Sequence, residues 1–442
     1  MTEHRPSRVS SASHAHRSLR RPVASARLAA VAVSGLVGIV ILTRVVGGTA
    51  SEPRSSGANL RVANESPLRS VEPASAAASP GPTPSPLLPR LAAPVSPRPT
   101  AGPTGSRTNV YAATGVGMFS PVVAADPFRV YVPDEASGTV SVIDPSTFRI
   151  VARLAVGASP EHVTPDWDLR RLYVEATFSN RLAIIDPATG KLIGHRDIPA
   201  PYNLYFSPDG RWAIDVVDRP RVGAEYRGTA QLYFYDRRTW RLRKALDIPW
   251  AGADHLDFTA DGRYAILSTE YAGYLVKVDL RRMAIVTARF VGGSPTDVRL
   301  APDGQVVYVA NQGRNGVSIV DPATMREIAF LHTGRGAHGL AVSRDARSLY
   351  VTNRLAGSLS VIDFATRRVV ATWRIGGSPD MIAVSADGTE LWISNRFNGT
   401  VSVVNSRSGH VIKTIRTGGR PHGLAFFPEP GTVSLGHNGN YR

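Results

Sequence analysis

The fifteen residues "LYVTNRLAGSLSVID" (349–363) decide the fold. Alone they read as two apolar segments, "LYVTN" and "SLSVID", rich in β-branched residues and joined by a polar loop, which is the pattern of two short strands and a turn. Along the chain they recur. Near copies begin at Val130, Leu172, Ala213, Ala265, Val307, Leu349 and Leu391, and six of these seven starts lie 42 residues from a neighbour. The third copy is lengthened by "DRPRVGAEYRGTA" (218–230), which extends one loop and leaves the strand patterns intact.

Each period holds four apolar β segments, written in the sixth copy as "HGLAVS", "SLYVTN", "SLSVID" and "RVVATWRI". Turn chemistry bounds them. "SPDG" (207–210), "APDG" (301–304) and "SADG" (385–388) supply Asp and Gly to the first hairpin, and "DPST" (144–147) with "DPAT" (186–189 and 321–324) puts Asp first and Pro second, as a type I turn prefers. Asp144, Asp186, Asp321 and Asp363, the last followed by Phe364 in place of Pro, therefore read as turn caps, and so do Asn311, Asn353 and Asn395 at the ends of second strands. A four-stranded unit of this length cannot hide both faces by itself. Stacked around an axis, such units can, and the fold class expected is all-β, a seven-bladed β-propeller of four-stranded antiparallel blades. An eighth blade stays open as the alternative, because "NVYAATG" (109–115) resembles an outer strand and "HGLAFFPEPGTVSLGHN" (422–438) resembles the first two strands of a further copy.

The segments "LYVTN", "SLSVID", "VVATWRIGGSPDMIAVSADG" and "LWISN" resemble the YVTN-repeat β-propeller family, extracytoplasmic proteins of the YncE type, from residue 109 to about 431. The shared residues are those of strands and turns. The resemblance implies an envelope or secreted propeller used as a binding platform, and it assigns no activity.

The rest of the chain divides into two further regions. Residues 1–50 join an Arg-rich stretch to the apolar run "LAAVAVSGLVGIVILT" (28–43), which is signal-peptide length or a short transmembrane anchor. The basic flank keeps the N-terminus inside, so the expected location is extracytoplasmic, either membrane-anchored or secreted after cleavage. Residues 51–107 are rich in Pro, Ser and Ala and read as a disordered spacer; the propeller is expected over 108–442. The net charge of +16 is misleading for the folded part, since residues 1–107 hold 13 Arg, no Lys and 4 Glu. With no cysteine, disulfides, thiolate metal sites and Cys nucleophiles are excluded.

Function on a repeat scaffold lives where the copies differ. The segment before each innermost strand supplies Glu161 and His162, Tyr202, Asp254 and His255, Asp297, His338, Asp380, and His422; four of the eight histidines after residue 108 fall there. Such a ring at a channel mouth suits a ligand pocket, a general acid or base pair, or a divalent metal held by nitrogen and oxygen, and equally a set of strand caps over water. The insertion, with Arg219, Arg221, Glu225, Tyr226 and Arg227, is the candidate partner loop. A third option is polyanion binding, to nucleic acid or a wall polymer, by Arg237, Arg238, Arg241 and Arg243 with Tyr233, Tyr235 and Trp240 between them. Haem-attachment, zinc-protease, P-loop and nucleophile-elbow motifs are absent from the sequence. The leading expectation is thus a ligand- or partner-binding platform of the cell envelope, with a metal-dependent or lactonase-like hydrolase as the alternative.

Overall fold

The computed structural model describes residues 109–442 apart from 218–220, 223–224, 227–228 and 438, and of 221, 222, 225 and 226 only the backbone. The leader and the spacer lie outside the described residues. No helix among the described residues is long and apolar enough to cross a membrane.

The apolar segments form the strands that their alternation predicts, and seven four-stranded blades follow one another around a central channel. In blade 2 the strands are Pro160–Pro165, Leu172–Ala176, Arg181–Asp186 and Lys191–Asp197, antiparallel in chain order from the channel outward. Blades 4 to 7 repeat this plan from Ala253, Pro295, Ala337 and Pro379. Inner strands are buried along their length, whereas outer ones such as Arg149–Ala155 alternate between exposed and half-buried, because only their inward face meets a neighbouring blade. Blades pack face to face: Tyr308 and Val317 of blade 5 share a cluster with Leu340 and Val351 of blade 6. The turn aspartates are caps. Asp144 accepts the Ser146 amide at 2.9 Å and the Thr147 hydroxyl at 2.9 Å, and Asp363, lacking the proline, accepts the Thr366 amide at 2.7 Å.

The ring closes with strands from both ends. Blade 1 consists of Arg129–Asp134, Thr139–Asp144 and Arg149–Ala155, and its innermost strand is Ala425–Phe427, paired Val130↔Phe426. This corrects the two expectations about the termini and removes the eighth blade. Residues 109–115 form turns, not an outer strand, with the Tyr111 hydroxyl donating to the Leu300 carbonyl. Beyond Phe427 the chain adds no second strand to a new blade; it turns into the channel, where Ser434–Gly436 pairs with the inner edge of blade 3 at Gly436↔Tyr205. Gly436 is required there, since a Cβ would lie 2.5 Å from Tyr205 Cδ1. The insertion in blade 3 forms a hairpin of Arg221–Val222 with Glu225–Tyr226, while Arg219 and Arg227 lie outside the described residues.

Candidate functional site: two layers at the channel mouth

Glu161, His162, Asp254, His255, Asp297, His338 and Asp380 sit inside the innermost strands, whereas Tyr202 and His422 precede theirs as expected. In five blades the pairing slips at one place, between Pro160 and Val163, Ala253 and Leu256, Pro295 and Val298, Ala337 and Leu340, and Pro379 and Ile382. A β-bulge leaves two consecutive residues facing one partner and re-aims their side chains. The pairs freed are Glu161-His162, Asp254-His255, Thr296-Asp297, His338-Gly339 and Asp380-Met381. Two adjacent positions in the repeat therefore become two layers in the channel.

The upper layer surrounds an open pocket lined by Glu161, Tyr202, Asp254 and His338. Its volume of about 170 Å³ holds a small molecule or a few waters, at roughly 30 Å³ for each water. The same wall carries residues that the sequence reading passed over, the ones that directly follow the second strands: Glu135, Glu270, Gln312, Arg354 and Arg396. Arg354 Nε donates to Asp380 Oδ1 at 2.6 Å and its Nη1 donates to Gln312 at 3.0 Å, while Gln312 donates to Glu270 at 3.3 Å. Arg396 lies 2.5 Å from Glu135, and His422 Nδ1 is 2.9 Å from Glu161 Oε2. One position further along, Phe178, Tyr271, Leu355 and Phe397 are 60%, 61%, 58% and 59% exposed, so an apolar rim encircles a polar interior.

Burial and neighbours set the charges. Burial, reinforced by Glu135, pushes the Glu161 carboxyl up to about 8, and burial, reinforced by Asp254, raises Glu270 to about 7. Burial also favours the charge-free carboxyl of Asp380, but Arg354 and Arg396 outweigh it and hold Asp380 below the usual range. His338 is lowered to about 3 by burial and Arg354, and His422 is lowered by burial and Arg396. The pocket wall thus carries two guanidiniums, held by Asp380 and Glu135, beside two carboxyls whose charged form burial disfavours.

The lower layer is a cluster of imidazoles. His162 meets His255 edge to face at 5.4 Å, and His437, carried in by the C-terminal segment, lies 4.3 Å from His162 and 4.9 Å from His255, ring centre to ring centre. Gly423 makes room, since a Cβ there would meet His162 Cδ2 at 2.2 Å. Two groups among the described residues have ligand atoms close enough to hold a metal ion: His162 with His255 and His437, and Glu135 with Glu161 and His422.

Not every candidate faces the opening. Asp297 is a clamp between blades, accepting the Val298 amide at 2.9 Å and the Leu340 amide of the next blade at 2.8 Å. In the arginine strip, Arg237 covers Trp167 at 4.9 Å and donates to the Gly210 carbonyl, Tyr235 is buried, and Trp240 is covered by Arg196 at 4.7 Å; Arg238, Arg241 and Arg243 stay exposed.

A seven-bladed ring closed by strands from both ends, with its variable side chains gathered at one mouth, defines a β-propeller. A family model described as YNCE-like beta-propeller matches residues 108–429, and the chain belongs to that family. No curated protein matches the sequence. Among solved structures, a functionally unknown protein from Desulfotomaculum acetoxidans is similar at 18% identity and a TM-score of 0.59, covering 68% of this chain and 99% of its own. The periplasmic gluconolactonase of Pseudomonas aeruginosa is similar at 19% identity and a TM-score of 0.56, covering 69% of this chain and 99% of its own. Hydrazine synthase of Kuenenia stuttgartiensis matches at 15% identity and a TM-score of 0.51, covering 64% and 96%. These likenesses show the fold.

Proposed function

We infer that this chain is an exported or membrane-anchored binding platform of the cell envelope, and that its ligand is a small, acceptor-rich molecule, a carboxylate or a polyol, taken into the mouth. The observation that carries this reading is the placement of Arg354 and Arg396 in the pocket wall beside the raised carboxyls of Glu161 and Glu270. Two guanidiniums and two carboxyls whose charge burial disfavours converge on a space for one small molecule, and an exposed apolar rim surrounds it. The apolar run at 28–43 behind a basic flank supports export. The test is calorimetric titration of the full chain with aldonates, uronates and polyols, beside an Arg354→Ala, Arg396→Ala double variant. Saturable binding that the double variant loses supports the pocket; a panel without binding removes it.

A lactonase-like hydrolase is the second reading, and the pairing of His422 Nδ1 with Glu161 Oε2 at 2.9 Å favours it. A carboxyl and an imidazole in contact beside an open pocket are the parts that general acid–base attack of water on a lactone requires. Turnover of gluconolactone by the purified chain, lost in His422→Gln, would convert the platform into an enzyme.

A further inference from the structure

The geometry points to a buried transition-metal site formed by His162, His255 and His437 beneath the mouth pocket, with its third ligand delivered by the C-terminal segment. One ring nitrogen from each histidine lies within 4.8 Å of those of the other two. Zinc bound by imidazole at about 2.0–2.1 Å in a tetrahedron brings its nitrogens to roughly 3.4 Å from one another, so each ring moves inward by less than about one ångström.

The surroundings fix which nitrogen His162 offers. His162 Nδ1 lies 3.1 Å from the Tyr202 carbonyl oxygen, which can only accept, so Nδ1 carries the hydrogen and Nε2 the lone pair. That Nε2 is buried and has no hydrogen-bond partner. His255 Nδ1 lies 2.8 Å from Asp254 Oδ1, and its Nε2 is likewise buried and unpartnered. His437 Nε2 meets the Tyr205 hydroxyl at 2.9 Å, and that hydroxyl is already engaged by the Leu256 amide at 3.1 Å. A carbonyl, a carboxylate and a phenol thus lie behind the three imidazoles, where metal-bound histidines characteristically have their second shell. The His162 lone pair, shut away from water without a donor, is costly unless something accepts it.

The other group of possible ligands does not fit as well. Between Glu135, Glu161 and His422 a cation is already present, the Arg396 guanidinium, at 2.5 Å from Glu135 and 4.0 Å from Glu161. Beside the three histidines the nearby cation, Arg299, is paired instead with Asp297 at 3.6 Å. Three imidazoles select zinc, copper or nickel over magnesium or calcium, and three protein ligands leave a fourth position for water or a guest. This inference is independent of what the mouth pocket binds.

The test uses the full chain, purified in detergent without an affinity tag and dialysed against Zn(II) or Co(II). Elemental analysis is expected to give close to one equivalent, and the Co(II) form the intense visible absorption of a four-coordinate site. His437→Gln and His162→Gln are expected to lower occupancy at least tenfold, and His410→Gln, an exposed control, to leave it unchanged. Occupancy well below one equivalent in the wild-type chain, or full occupancy in His437→Gln, overturns the site. Should a variant fail to fold, the Cu(II)-loaded wild-type chain decides by electron paramagnetic resonance: coupling to three imidazole nitrogens upholds the site and fewer overturns it.

Discussion

His437 Nε2 lies 2.9 Å from the Tyr205 hydroxyl, and one residue earlier Gly436 is the backbone partner of that same tyrosine. A single residue of blade 3 therefore holds the C-terminal segment in the channel twice, its backbone pairing with Gly436 and its hydroxyl meeting the His437 imidazole. Gly436→Ala places a methyl 2.5 Å from the ring and is expected to displace the segment, at a cost of about 1–3 kcal/mol by overpacking. Chemical denaturation measures the cost, and loss of the His437 ring contacts in NMR would show that the segment has left.

Arg354 is the partner of a carboxylate with no exposure to solvent, Asp380. Arg354→Ala removes the larger of the two guanidinium contributions that hold this buried charge and leaves Arg396, so a loss of up to about 3–5 kcal/mol is expected. The double change Arg354→Ala, Asp380→Asn removes charge on both sides and should recover a large part of it. Equal destabilisation of the single and double variants in urea titrations would contradict this pairing.

Glu270 provides a pH signature. Its carboxyl is raised to about 7, so between its ordinary value near 4.5 and 7 the folded chain binds more protons than the unfolded one. This group's contribution to stability accordingly falls as pH rises through that window and is flat above it. Glu270→Gln is expected to remove its share of the slope and leave that of Glu161, seen as a smaller change of denaturation midpoint between pH 5 and 7.5 than in the wild-type chain. Ligand affinity should follow the same course, since above neutrality a negative charge develops beside Arg354.

Phe427 ends the strand that closes blade 1 and is 1% exposed. Phe427→Ala is expected to cost about 3–5 kcal/mol and to make proteolysis begin at blade 1. A cut pattern identical to that of the wild-type chain would argue against closure at this point.

The sequence makes the ring legible because every blade is written with the same turn and strand residues. Period, strand number per blade and the capping aspartates all follow from that repetition. The site is legible only in part. His162, His255 and His338 stand out because they vary at fixed positions of a repeat, yet their separation into two layers depends on a bulge, which alters pairing and leaves no mark in composition. Arg354, Arg396 and Glu270 occupy a second variable position of the same repeat and could have been found by comparing the residue after each "YVTN"-like strand. His437 offered no such signal: it lies past the last full copy, where the period had ended, and only the path of the chain into the channel gives it neighbours.

Closure by Ala425–Phe427 also has a kinetic consequence. Until that strand arrives, blade 1 is a three-stranded sheet with a bare inner edge, and such edges seek foreign partners. The strand it joins lies some three hundred residues earlier, so the contact that completes the ring is nearly the most non-local in the domain. The entropy of so long a loop grows only with its logarithm, but the search for it comes late and slowly. Refolding is therefore expected to run in two stages, fast within the blades and slow at the seam, and the interval between them is when the chain is most exposed to aggregation.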